Sequence, residues 1–183
     1  MRHLASWLLF AATLLPSPLA AGDPRVASLG VDVRENRAFL SVALADALDE
    51  RFFERVESGL PTAVVYQFEL QADRKRWYDK TLETSELQVV AMYDALEREY
   101  LVNYKLSGKL VESRVVRDLD DLALAMTRLD DVPVFELDDV PRRVRLQVRI
   151  RALLGSKTLF AVIPSTVSTD WAESEKFRPT NGR

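Results

Sequence analysis

Residues 141–156 read PRRVRLQVRIRALLGS, and within them Val144, Leu146, Val148 and Ile150 alternate with Arg145, Gln147, Arg149 and Arg151. Successive side chains of a strand point to opposite faces, whereas the apolar stripe of a helix recurs every three to four residues. The period of two therefore predicts a strand with one apolar and one polar face. Residues 62–73 repeat the pattern, with Val64, Tyr66, Phe68, Leu70 and Ala72 on one side and Val65, Gln67, Glu69, Gln71 and Asp73 on the other. Strands of this kind need an antiparallel sheet with its core against one face.

The remaining elements follow from punctuation. Residues 26–33 and 37–45 are strand-like runs around Arg34-Glu35-Asn36, and Asn36 tolerates a left-handed turn, which predicts a hairpin. Leu48, Phe52 and Val56 share one helical face over residues 46–58, with Asp46 as a cap, Gly59 as a left-handed stop and Pro61 barring continuation. A second helix is predicted over residues 119–129, capped by Asp118 and burying Leu119, Leu122, Met126 and Leu129. Residues 86–106 fit either state, and their Val and Tyr content favours strands joined by a turn at 94–98. The tail after Pro164 reads as irregular. The expected fold class is α+β: a mainly antiparallel sheet, curved or sandwich-like, with two amphipathic helices packed on it.

Residues 1–22, MRHLASWLLFAATLLPSPLAAG, have a basic start, an apolar stretch, helix-breaking prolines and small residues at the end. That is the layout of a secretory signal peptide, and the apolar stretch is short for a span of about 20 residues. The expectation is a cleaved leader and one exported domain over residues 23–183, located in the periplasm or secreted, with no stable membrane insertion. Without the leader the chain keeps 24 basic and 28 acidic residues, a formal charge of −4. Nucleic acid and anionic lipid surfaces are poor partners for that balance.

The one histidine is His3, inside the leader, and there is no cysteine. The exported chain thus lacks the base of Ser-His-Asp and Cys-His systems and the usual nitrogen and sulfur ligands of zinc. No S-x-x-K, G-x-S-x-G, G-x-G-x-x-G or phosphate-loop pattern occurs, and the acidic pairs lack calcium-loop spacing. No catalytic, cofactor or metal residue is expected, and the reading is non-enzymatic.

Two features are candidates for contact with a partner or ligand. Same-face arginines on a strand lie about 6.8 Å apart and repel in water by about 0.6 kcal/mol. So small a penalty favours a solvated strand face over a dedicated anion surface at Arg145 and Arg149, with Glu69 or Asp73 as possible cross-strand partners. Arg76, Trp77 and Tyr78 form an aromatic-basic turn of the residue types that carry binding energy when desolvated. The alternative is that Trp77 closes the edge of the core. Trp171 reads as a side chain that pins the tail.

Gly59-Leu60-Pro61 after a helix, Arg76-Trp77-Tyr78-Asp79, Tyr93 and Leu96 before Tyr100-Leu101-Val102, and Asp170-Trp171 together resemble a family of exported bacterial proteins, the domain of unknown function 4390 family. The family often has a second tryptophan where this chain has Tyr78. The resemblance implies a single periplasmic domain rich in antiparallel strands with no catalytic residue to transfer, and fits an accessory of envelope signalling. The missing catalytic side chains and the aromatic-basic turn favour a cell-envelope interaction module that meets an envelope protein partner through an exposed strand edge or the Trp77 turn. The alternative is a binder of a small apolar or anionic ligand in a cavity beneath the sheet, lined by Tyr66, Phe68 and Val148.

Overall fold

A computed structural model describes residues 22–73, 80–154 and 167–179, so the leader assignment lies outside the described residues. β1 (Arg25–Arg34) and β2 (Arg37–Ala45) form the expected hairpin, whose turn holds Glu35 at φ 49° and Asn36 at φ 62°. Two left-handed residues in succession match the twist of the strands they join. α1 (Glu50–Glu57) buries Phe52 and Val56 as its spacing requires. It starts later than the sequence suggests, because Asp46 is itself left-handed and ion-paired with Arg25. The cap is Asp49, whose carboxylate accepts from the Phe52 N–H at 2.9 Å. Gly59 at φ 80° closes the helix, with Leu60 N–H donating to the Arg55 carbonyl.

β3 (Thr62–Ala72), β4 (Lys80–Asp94), β5 (Glu99–Leu106) and β6 (Lys109–Val116) then form a meander. α2 (Leu119–Thr127) is capped by Asp118 as expected, but it stops two residues short of Leu129. Leu119 is 40% exposed on the first turn, and Leu129 is buried instead on β7 (Arg128–Glu136). β7 hides from pattern reading because Asp130-Asp131 and Pro133 interrupt its apolar residues. Pro133 is tolerable there because β7 is a border strand of its sheet. β8 (Leu146–Leu154) is the arginine-bearing strand, followed by the short β9 (Val167–Ser168) and β10 (Ala172–Glu173).

These strands make two antiparallel sheets, β1-β2-β7 and a seven-stranded one ordered β10-β8-β3-β4-β5-β6 with β9 also on β8. Their apolar faces share one core, in which Leu40, Tyr66, Phe68, Leu87, Phe135 and Ile150 are almost fully buried. The fold is therefore α+β and sandwich-like, with neither sheet closed. α2 lies against this core, and two tyrosines receive its last turn. Tyr66 Oη donates to the Met126 carbonyl and Tyr104 Oη to the Ala125 carbonyl, each at 2.8 Å. Both carbonyls belong to the four that a helix leaves unpaired at its C-terminus, so the sheet supplies their donors.

The tail differs from the irregular segment expected from sequence: it runs antiparallel along β8 as an interrupted strand. Ser168 faces Leu153, Ala172 faces Ile150 and Phe177 faces Leu146, so one extra tail residue is accommodated in each of the two intervals. These are bulges, and such interruptions defeat a search for regular alternation.

Candidate functional site

The arginine row of β8 is engaged within the molecule. The β3–β8 register sets Glu69 opposite Arg149 and Gln67 opposite Arg151. Arg149 ion-pairs with Glu69 at 3.7 Å, realising the cross-strand partner expected for it, and with Glu173 of the tail at 3.3 Å. The Nε of Arg149 meets Glu173 off the axis of a hydrogen bond, so the contact is ionic rather than directional. Arg151 Nε donates to Gln67 Oε1 at 2.8 Å. The guanidinium carbons of Arg149 and Arg151 lie 4.9 and 4.7 Å from the Trp171 ring centre. One indole thus meets two cations, an arrangement worth about 0.5–1 kcal/mol per contact at a partly exposed site. Trp171 and the arginine row fasten the tail to the sheet.

Arg145 sits apart from this cluster. Asp73 N–H donates to its carbonyl at 2.8 Å, but the Asp73 carboxylate pairs with Lys176 at 3.1 Å. Arg145 lines a groove of about 560 Å³ together with Asp73, Leu82 and Arg178. Arg76, Trp77 and Tyr78 lie outside the described residues. Tyr66, Phe68 and Val148 are at most 1% exposed and belong to the packed core.

Sequence reasoning missed a second surface at the opposite border of the seven-stranded sheet. β6 pairs with β5 on one side and, among the described residues, with no strand on the other. All its residues except Val116 are exposed, including Leu110 at 60%, Val111 at 56% and Val115 at 52%. The registers β4–β5 and β5–β6 align Met92, Leu101 and Val115 in one row across three strands. This row lies on the face away from the core, because Tyr100, Val102 and Tyr104 point inward from the same β5. Lys109, Arg114 and the following Arg117 outnumber Glu112 along this border. The run 110–116, LVESRVV, carried the signal, but its polar residues are grouped rather than alternating.

Among the described residues no group of three or more His, Cys, Asp or Glu side chains is placed to hold a metal ion. No described helix is long and apolar enough to cross a membrane. A family model described as Domain of unknown function (DUF4390) matches residues 21–172. No curated protein and no solved structure matches the chain.

Proposed function

The chain belongs to the DUF4390 family, and from that premise we propose that it is a non-enzymatic, exported interaction module of the bacterial cell envelope, a signalling accessory that receives an extended strand of an envelope protein on β6. The observation that carries this reading is the β6 border, which pairs with no further strand among the described residues, beside the apolar row Met92, Leu101 and Val115. A strand border presents a row of backbone donors and acceptors, and a free segment can satisfy them by adding one more strand. Arg114 pairs with Glu112 and Arg117 with Glu99, so Lys109 is the cation left over along this border, and it suits an apolar segment that carries an acidic residue. It also disfavours β6 of a second copy, which carries the same surplus cation. The leader-like residues 1–22 support the periplasmic location, and the absence of cysteine and of any histidine beyond His3 supports a binding rather than a catalytic role.

Photoreactive residues placed at Val111 and Val115 test the reading in intact cells, with Arg51 on the exposed side of α1 as the control position. Crosslinks to one envelope protein at both β6 positions and none at Arg51 are expected. Equal crosslinking at all three positions, or crosslinks only between copies of this chain, would contradict the proposal.

A further inference from the structure

The groove that Arg145 lines has an unusual charge arrangement. Leu146 and Phe177 exchange both backbone hydrogen bonds at 2.9 Å. The next residues outward from this bridge, Arg145 and Arg178, both line the groove. Arg143 lines the same groove, as do Asp73, Leu82 and Val144. Among the described residues Asp73 is the one carboxylate in that lining, and it is committed to Lys176. Among the described residues no carboxylate forms an ion pair with Arg143, Arg145 or Arg178.

Like charges gathered in one groove repel one another. General basicity does not account for them here, since the chain has 28 acidic against 25 basic residues. Elsewhere Arg25, Arg34, Arg37, Arg128 and Arg149 each have a carboxylate partner. The groove thus brings together three arginines, none of them ion-paired with a carboxylate among the described residues. Beside them Leu82 is 41% exposed and Val144 is half-buried, so the polar end of the groove continues into an apolar wall.

We propose that this groove binds the phosphate head group of an acyl lipid. Guanidinium groups hold phosphate oxygens in paired, charge-assisted hydrogen bonds, and a phosphate offers enough acceptors for more than one arginine. Arg145 and Arg178 hold the phosphate, Arg143 adds charge, and the first carbons of the acyl chain lie against Leu82 and Val144. The anion relieves the repulsion among the arginines that share the groove, which couples ligand binding to the fastening of the tail on β8. The site is separate from β6, and its test is independent of the interaction reading.

The experiment is calorimetric titration of the mature protein with dihexanoyl phosphatidate below its micelle concentration, with inorganic phosphate as the head-group control and flotation with phosphatidate-containing vesicles as a second arm. Saturable one-to-one binding of the short-chain lipid is expected, at least tenfold tighter than inorganic phosphate. Arg145→Ala or Arg178→Ala should weaken it at least tenfold, and Leu82→Asn should weaken the lipid while leaving inorganic phosphate unchanged. Removing either arginine lowers the crowding of like charge in the groove, so both variants should keep the wild-type circular dichroism spectrum and melt no lower than the natural protein; if Arg145→Ala does not fold, the exposed Arg178→Ala decides. Binding of the monomer assigns a free lipid as ligand, and binding to vesicles alone assigns a membrane surface. Absence of both, or affinity unchanged in Arg178→Ala, overturns the proposal.

Discussion

Thr169 and Ala152 exchange two hydrogen bonds: the Thr169 N–H donates to the Ala152 carbonyl at 2.9 Å, and the Ala152 N–H donates to the Thr169 hydroxyl at 3.0 Å. Ser174 and Val148 repeat the arrangement at 2.8 and 3.0 Å. In a regular ladder a backbone carbonyl would take the second bond. Here a side-chain oxygen replaces it at each of the two places where the tail bulges, so the buried amides of β8 keep their acceptors. Each hydroxyl then passes its own proton to the next carbonyl, Thr169 to Asp170 and Ser174 to Glu175.

Thr169→Val keeps the shape and removes the acceptor. A buried N–H left without a partner costs about 1–3 kcal/mol, and the same holds for Ser174→Ala at Val148. Urea denaturation should show a lower midpoint with an unchanged slope for each variant, and a near-normal midpoint for Thr169→Ser. An unchanged midpoint in Thr169→Val would show that the hydroxyl does not serve β8.

Tyr66 is fully buried with its hydroxyl on the Met126 carbonyl, and burial pushes its ionisation far above the ordinary tyrosine range, with Tyr104 adding to the effect. The unfolded chain ionises near pH 10 while the folded chain keeps the proton. Its contribution to stability is therefore whole below about pH 10 and is lost as the pH rises above that. Between pH 10 and 12 the unfolding free energy of the natural protein should fall more steeply than that of Tyr66→Phe, by up to about 1.4 kcal/mol per pH unit. Parallel pH profiles for the two proteins would contradict the assignment.

Two glycines make a matched pair. Gly59 closes α1 at φ 80°, where any side chain is strained although nothing lies within 4 Å of an added Cβ. Gly59→Ala should cost about 1–2 kcal/mol in thermal or chemical unfolding. Gly30 on β1 has no such constraint, and an added Cβ would meet Ser41 only at ordinary contact distances of 3.8 and 3.9 Å. Gly30→Ala should be neutral or stabilising by a few tenths of a kcal/mol, up to about 1. A loss at Gly30 as large as at Gly59 would contradict the backbone argument.

Where a segment keeps one periodicity, as residues 62–73 and 144–151 do, its strand and the direction of its faces are legible in the sequence. The same phase offered Glu69 and Asp73 as partners for Arg145 or Arg149 without choosing among them, and the register joins Glu69 to Arg149. Asp49 rather than Asp46 caps α1 because the left-handed Asp46 turns the chain before the helix begins, a tertiary choice that local propensity does not encode. The tail was illegible because hydroxyls at Thr169 and Ser174 substitute for carbonyls and permit extra residues. β6 was missed because a solvent-exposed strand has no buried face to impose alternation. That Arg145 and Arg178 line one groove depends on that same bulged register and could not be counted from spacing.

A partner strand added to β6, as we propose, would show itself in amide hydrogen exchange across residues 109–116. In the mature protein alone, the β6 amides that point away from β5 should exchange rapidly, and in the isolated complex with the crosslinked envelope protein they should become protected while those of α1 stay as they were. Fast exchange of the same β6 amides in the complex would contradict the account.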